Sequence, residues 1–312
     1  MADGHGSGSE SGDGQGGQIP GLAGQVAYTL SNPPAGLPVV LAVPHAGRAY
    51  PPGLIARMRH PGAASLRLED RYADLLAVAV ARETGATLLL AHAPRAMIDL
   101  NRAPEDVDWD MVAGGAPAGA PAYSAGRRAR SGLGLVPRRL LELGEVWKRP
   151  LPHEELSARV ERVHRPYHAA LAATLEQVRD QWGAVLLLDL HSMPPLGPKH
   201  GADPAADFVL GDRFGASCAP GLASAAFDHL AAAGRVVAHN RPYAGGYVLD
   251  RHGAPSRGVH AMQVEVCRST YLDSHLREPG PGLASVVRVL SGLVRRLADE
   301  LAQQRQLPQA AE

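Results

Sequence analysis

Short apolar segments of strand length alternate along this chain with segments in which apolar side chains recur at helical spacing. The strand-like segments lie at 37–45, 86–91, 96–100, 184–191, 207–211, 235–240 and 258–268. The helical patterns lie at 65–85, 154–182, 221–233 and 281–305. Strands that alternate with helices build α/β domains on a largely parallel sheet, so the sequence predicts that fold class. Pro166 is expected to break or kink the second helix.

The domain organisation follows from local composition. Residues 1–20 are rich in Gly and Ser with little to bury, which predicts a disordered tail. We expect residues 21–312 to form a single α/β domain, since 45% of the chain is apolar and a large core can be built. Residues 103–150 are rich in Gly, Pro and Arg with weak periodicity, which predicts a long functional loop or insertion.

Charge and cysteine usage narrow the choice of partners. Lys and Arg total 31, as do Asp and Glu, which argues against binding to nucleic acid or to an anionic membrane surface. The two cysteines, Cys218 and Cys267, lie far apart in sequence, as is typical of a reducing compartment. Because the chain has no secretory signal pattern and no apolar run of about 20 residues, we expect a cytoplasmic protein.

Titratable side chains follow the predicted strands. Ligands bind at the carboxyl ends of strands in such sheets, and His45 and His191 both stand there. Two imidazoles and a carboxylate form many catalytic zinc sites, and Glu69 and Asp70 are carboxylates at the start of a helix. These residues also have a purely structural interpretation. Each histidine would then be a hydrogen-bonded loop residue, and Asp70 would be a solvated helix residue or a helix cap.

Two further carboxylates lie within strands. By the two-residue period Asp189 faces the same side as His191, where it would orient the imidazole or pair with a cation. Glu265 lies between two valines, and an unpaired buried carboxylate is costly. Glu265 is therefore either ion-paired or has a raised pKa suited to proton transfer.

Arginines and a glycine-containing segment suggest a small anionic ligand. Arg95 and Arg102, the latter beside Asn101, suit the grip of a substrate carboxylate, although ion pairs with nearby acids are equally expected. Segment 240–253 carries Arg241 and Tyr247 around paired glycines, which predicts either a mobile loop that closes over a small polar ligand, with these two residues binding the substrate, or a plain hairpin connection. The HExxH, GxSxG and GxxxxGK[ST] motifs are absent from the sequence.

Taken in order, seven segments resemble the N-formylglutamate amidohydrolase (deformylase) family. They are VPHAGRAYPP, LEDRYADLL, RAMIDLNRAPED, LLLDLHSMPP, ADFVLGDRFGASC, NRPYAGGYVLDRHG and GVHAMQVEVCRSTYLD. The family is related to zinc carboxypeptidases. The resemblance therefore implies their α/β fold, of the phosphorylase/hydrolase-like type, with a mixed, mostly parallel sheet and helices on both faces.

The resemblance also implies a zinc-dependent hydrolysis of an N-acyl amino acid, typically one that releases formate and glutamate at the end of histidine breakdown. It implies that His45 and His191 bind one zinc ion per chain or another divalent metal, and that Glu265 is the catalytic carboxylate. Asn101 and Arg102 would hold the substrate's α-carboxylate. Arg95 would polarise the scissile carbonyl or hold a second carboxylate.

One position departs from the carboxypeptidase pattern. Those enzymes place a ligand glutamate three residues after the first histidine, where this chain has Arg48. The resemblance therefore points to Asp70 as the third ligand, with Glu69 as the fallback. Two other functions stay open from the sequence: a related amidohydrolase for another N-acyl amino acid, and a metal- or ligand-binding module that has lost its activity.

Overall fold

The computed structural model describes residues 14–31, 36–117, 126–197 and 205–306. Its strands are β1 (Gly14–Gly16), β2 (Tyr28–Ser31), β3 (Val39–Val43), β4 (Thr87–Ala91), β5 (Arg139–Leu140), β6 (Gly144–Glu145), β7 (Val185–Met193), β8 (Phe208–Gly211), β9 (Val237–His239) and β10 (Val259–Cys267). Its α-helices are α1 (Pro52–Arg57), α2 (Pro61–Leu68), α3 (Ala73–Thr84), α4 (Arg127–Arg130), α5 (His153–Arg159), α6 (Arg165–Trp182), α7 (Pro220–Ala232), α8 (Tyr247–His252) and α9 (Leu283–Gln306).

The main sheet has eight strands in the order β1-β2-β4-β3-β7-β10-β8-β9. Four of its seven strand pairs are parallel: β4 with β3, β3 with β7, β7 with β10, and β8 with β9. The other three pairs are antiparallel and lie towards the edges. The predicted mixed, mostly parallel sheet is therefore confirmed, and β7 and β10 lie in its middle.

Helices cover both faces of the sheet. In β7, Leu186, Leu188 and Leu190 pack into a core layer with apolar side chains of α3, α7 and α9. Val185 and Leu187 point the other way, into a second layer with α5 and α6. This alternation follows from the two-residue period of a strand, and it confirms the predicted helices on both faces.

Two local predictions are wrong. Residues 96–100 form no strand, because a turn is closed there by the N–H of Met97 on the carbonyl of Pro94 at 2.8 Å. Pro166 does not end the second helix. A π-helical turn at 160–164 joins α5 to α6, so Pro166 falls in the first turn of α6, where its missing N–H is tolerated.

Part of the segment predicted to be an N-terminal tail belongs to the fold. Its residues 1–13 lie outside the described residues, but residues 14–20 belong to the fold. Strand β1 pairs with β2, and Ile19 is buried in the core. The N–H of Gln18 donates to the carbonyl of Arg162 at 2.8 Å, an acceptor that Pro166 leaves without its helical donor.

The described residues of segment 103–150, which are 103–117 and 126–150, pack on the core rather than extending from it. Val107, Val112 and Leu135 are buried against the layer that contains α5 and α6. The small hairpin of β5 and β6 lies in this segment. Within the described ranges, no helix is long and apolar enough to cross a membrane.

Candidate active site

Strands β7 and β10 place four polar side chains side by side on one face of the sheet. In the parallel register Gln263 lies opposite Asp189, and Glu265 lies opposite His191. All four side chains are buried. They continue the face on which Leu187 and Ala261 pack towards α5 and α6, so the apolar layer gives way to polar groups at the carboxyl ends of the strands.

His45 and Asp70 meet this row from two neighbouring segments. His45 follows β3, and Asp70 lies between α2 and α3, with its N–H donating to the carbonyl of His45 at 2.9 Å. Oδ2 of Asp70 lies 2.8 Å from Nδ1 of His191 and 3.5 Å from Nδ1 of His45. The two imidazole rings lie 4.8 Å apart between centroids. The structure therefore brings together the three residues that the sequence nominated.

A second carboxylate orients each imidazole. Nε2 of His45 donates to Oδ1 of Asp99 at 2.7 Å, and Nε2 of His191 donates to Oδ2 of Asp189 at 2.9 Å. Both rings consequently turn Nδ1 towards Asp70. This arrangement, a ligand histidine whose other nitrogen is held by a carboxylate, is the usual surrounding of a protein-bound metal.

An unsatisfied buried atom is independent evidence that these residues can bind a metal ion. Nδ1 of His45 is buried and has no hydrogen-bond partner within the described part of the chain. One ligand atom from each of His45, Asp70 and His191 lies within 4.8 Å of the others. Two imidazole nitrogens and a carboxylate oxygen are the ligands that zinc and similar divalent ions accept. The buried His45–Asp70–His191 group can therefore hold a metal.

The electrostatics of this group favour a cation. Burial alone would raise the pKa of Asp70, but the hydrogen bond from His191 and the nearby imidazole of His45 outweigh burial and lower it. Burial would lower the pKa of His191, yet Asp189 and Asp70 raise it well above its ordinary value. The carboxylates that stabilise a positive charge on His191 would also stabilise a metal ion bound among them.

Glu265 is the buried carboxylate with the opposite behaviour. Burial, the largest cause, raises its pKa to about 7, with His191 acting against the rise. Its Oε1 accepts a hydrogen bond from Nε2 of Gln263 at 2.8 Å. Of the two interpretations that the sequence left open, the structure favours the carboxylate with a raised pKa, which is suited to accept and return a proton near neutral pH.

A cavity of about 260 Å³ opens above these groups. His45, Asp70, His191 and Glu265 line it, together with the predicted Arg95, Asn101 and Arg102. The predicted site residues thus converge on one cavity.

Arg95 and Asn101 form polar contacts with the candidate metal ligands or with the residues that orient them. Nε and Nη2 of Arg95 contact Oδ2 of Asp99 at 3.0 and 2.9 Å. Nδ2 of Asn101 lies 3.4 Å from Nε2 of His191, and its Oδ1 accepts the N–H of Val248 at 2.9 Å. The ion pair of Arg95 with Asp99 leaves its remaining N–H groups for the cavity.

Three nominated residues do not reach the cavity. Glu69, the fallback ligand, is buried but accepts a hydrogen bond from Arg71 at 3.1 Å and lies outside the metal-binding group. Arg241 is exposed, and Tyr247 accepts a hydrogen bond from Arg251 at 3.1 Å. The loop between the last two does line the cavity, and Gly246 is needed there because a Cβ would lie 2.6 Å from Oδ1 of Asn101.

Sequence reasoning missed several lining residues. Nε of Arg268 donates to the hydroxyl of Ser192 at 3.0 Å, and that hydroxyl lies 3.4 Å from Oδ1 of Asp70. Ser192 stands directly after His191, and Arg268 follows β10, so the rule about strand ends could have found both. Tyr243 and Arg128, which also line the cavity, come from irregular segments without such a signal.

Comparison with known proteins agrees with the geometry. A family model described as N-formylglutamate amidohydrolase matches residues 37–272. The N-formylglutamate deformylase of Pseudomonas putida is 32% identical over 244 residues, which cover 76% of this chain and 82% of that protein. Its counterpart from Pseudomonas aeruginosa is 30% identical over 269 residues, which cover 85% and 92%.

Two solved structures share the fold. The N-formylglutamate amidohydrolase of Ralstonia eutropha JMP134 superposes with a TM-score of 0.80 at 34% identity, covering 89% of this chain and 99% of that chain. A gene product from Agrobacterium tumefaciens superposes with a TM-score of 0.62 at 19% identity, covering 90% of this chain and 96% of that chain, and it supports the fold alone.

Proposed function

Because this chain belongs to the N-formylglutamate amidohydrolase family, we propose that it hydrolyses the formyl amide of N-formylglutamate to formate and glutamate. One observation carries the proposal: Glu265, with a pKa raised to about 7, lies beside the metal-binding group in an arginine-lined cavity. A general base of that pKa beside a site for a divalent metal can together catalyse the hydrolysis of an unactivated amide.

We propose that His45, Asp70 and His191 hold one zinc ion. When bound, zinc supplies Lewis acidity and lowers the pKa of water. Glu265 removes the proton from the attacking water and returns it to the leaving nitrogen of the substrate. The N–H groups of Arg95 that Asp99 does not use stabilise the oxyanion.

Substrate binding is assigned to the polar wall of the cavity. Asn101 and Arg102 hold the α-carboxylate, so that the formyl carbonyl lies next to Glu265. Arg241 and Tyr247 stay predictions, because neither lines the cavity. The cytoplasmic location, the role in histidine breakdown and the assignment of residues 21–312 to one catalytic domain also stay predictions.

The Glu265→Gln variant tests the mechanism. We expect it to retain the metal of the wild type and to lose about 100- to 10,000-fold in kcat on N-formylglutamate, the usual contribution of a general base. Turnover and metal content of the purified proteins are measured together. Glu154→Gln removes an exposed carboxylate from α5 and serves as the matched control. Wild-type kcat in Glu265→Gln would remove this residue from the mechanism.

A substrate panel tests the reaction itself. We expect the wild type to prefer N-formylglutamate over the N-acetyl and N-succinyl analogues. Preference for another acyl group would contradict the assignment of the formyl amide. Chelation is expected to abolish turnover, and added zinc to restore it. Turnover that persists at zero metal content would contradict zinc dependence.

A further inference from the structure

The cavity is richer in cationic than in anionic side chains. The arginines that line it are Arg67, Arg95, Arg102, Arg128 and Arg268. The acids that line it are Asp70 and Glu265. Asp70 is assigned to the metal and Glu265 to proton transfer, and of these two acids Asp70 also lies 3.7 Å from Nη2 of Arg268. The five arginines therefore outnumber the acids of the cavity.

Three of the arginines are already held by the protein. Arg95 is paired with Asp99, and Arg67 lies 3.2 Å from a carboxylate oxygen of Glu142. Arg268 donates to a serine hydroxyl and to two backbone carbonyls. These guanidinium groups are therefore occupied in shaping the cavity wall.

Arg128 differs from them. Its side chain is exposed at the cavity, and its guanidinium has no hydrogen-bond or ion-pair partner within the described part of the chain. Leu133 holds Arg128 close to Arg102: its N–H donates to the carbonyl of Arg128 at 2.8 Å, and its own carbonyl accepts from Nε of Arg102 at 3.0 Å.

Arg102 is in turn only partly satisfied. Its Nε and Nη1 donate to backbone carbonyls, and its distance to Asp106 is 4.0 Å, at the limit of an ion pair. Burial, with Arg95 and Arg128 acting in the same direction, lowers the pKa of Arg102 despite Asp99. The guanidinium groups of Arg102 and Arg128 face one cavity and repel each other. An anion bound in that cavity would stabilise both.

We propose that Arg128 binds the side-chain carboxylate of the substrate, next to the α-carboxylate held by Arg102, and so selects an acidic N-formyl amino acid. The assignment rests on the proposed function and extends it. N-Formylglutamate carries two carboxylates, which the two adjacent guanidinium groups match one to one. Leu133 and Leu140, which also line the cavity, offer an apolar wall for the methylene groups between the carboxylates.

The test compares Arg128→Gln with the wild type on N-formylglutamate and N-formylglutamine, which differ in the side-chain charge. We expect kcat/KM of the variant on N-formylglutamate to fall by about 10- to 100-fold, mainly through KM, as for a lost charge-assisted hydrogen bond. On N-formylglutamine we expect less than about 2-fold change, since no charge is lost. Arg128→Lys should recover part of the loss.

Arg139→Gln is the matched control, because it removes an exposed arginine of the same segment that does not line the cavity. An unchanged kcat/KM in Arg128→Gln, or an equal loss on both substrates, would overturn the assignment to the side-chain carboxylate. A wild type that leaves N-formylglutamate intact would instead refute the proposed function.

Binding of glutarate, a dicarboxylate without an amide, examines the site apart from turnover. Calorimetry should show affinity for the wild type about 10-fold above that for Arg128→Gln. Equal affinities would overturn the Arg128 assignment even if the wild type is active.

Discussion

A buried pair of histidines, His168 and His252, should make the fold sensitive to acid. Nε2 of His168 donates to the carbonyl of Leu100 at 2.9 Å, so its Nδ1 is the acceptor for Nε2 of His252 at 3.0 Å. Burial lowers the pKa of His168 to about 2 and that of His252 to about 3. Both rings are therefore neutral in the folded protein at neutral and mildly acidic pH.

The size of the effect follows from proton linkage. An unfolded histidine has a pKa of about 6.5, so below that pH the unfolded chain binds two protons that the folded protein excludes. Stability is then lost progressively as the pH falls from about 6.5 towards 3. Between pH 7 and pH 5 each ring costs about 2 kcal/mol, and the pair costs about 4 kcal/mol, of the free energy of unfolding.

Denaturant unfolding at pH 7 and pH 5 measures this loss. The double variant His168→Gln, His252→Gln keeps an amide donor and acceptor at each position but has nothing to protonate. Its stability should fall by about 4 kcal/mol less than that of the wild type over this range. His60→Gln, at an exposed histidine, is the matched control and should leave the pH dependence unchanged. Parallel losses in the wild type and the double variant would refute the reasoning.

Two further predictions concern the metal site and the core. Asp189→Asn keeps an acceptor for Nε2 of His191 but removes the charge, so zinc affinity in a competitive titration should fall about 10- to 100-fold, with the exposed Asp180→Asn unchanged. Leu293→Ala in α9 removes a fully buried side chain and should lower the free energy of unfolding by about 2–5 kcal/mol. Leu75→Ala, at a side chain 40% exposed, should cost much less in the same denaturant assay.

The sequence was most informative where local pattern determines geometry. The two-residue period predicted that Asp189 and His191 lie on one face of the sheet. The rule that ligands bind at the carboxyl ends of strands selected His45 and His191. Apolar runs predicted the central strands because these are buried on both faces. The fold class and the candidate ligand residues were therefore predictable from pattern and resemblance.

Contacts between segments that are distant in the sequence could not be predicted from it. The bond from His45 to Asp99 joins residues 54 positions apart, and hydrogen bonds of Leu133 connect Arg102 to Arg128. The run at 96–100 was mistaken for a strand because apolar composition reports burial, and a buried turn has the same composition as a buried strand. No local signal distinguishes these cases, since each depends on which segment packs alongside.

The strand register that packs the core also positions the residues of the candidate site. Val264 and Val266 pack among the leucines of β7 on one face, so Glu265 must point to the other face, opposite His191. A shift of β10 by one residue would exchange these faces, burying the carboxylate among apolar helices and placing a valine at the metal-binding group. Both errors are costly, because the carboxylate would be unpaired and the core would lose packed apolar surface. The packing of the core therefore fixes the alignment that places Glu265 opposite His191, and the carboxylate that we propose as the general base needs no separate device to hold it in place.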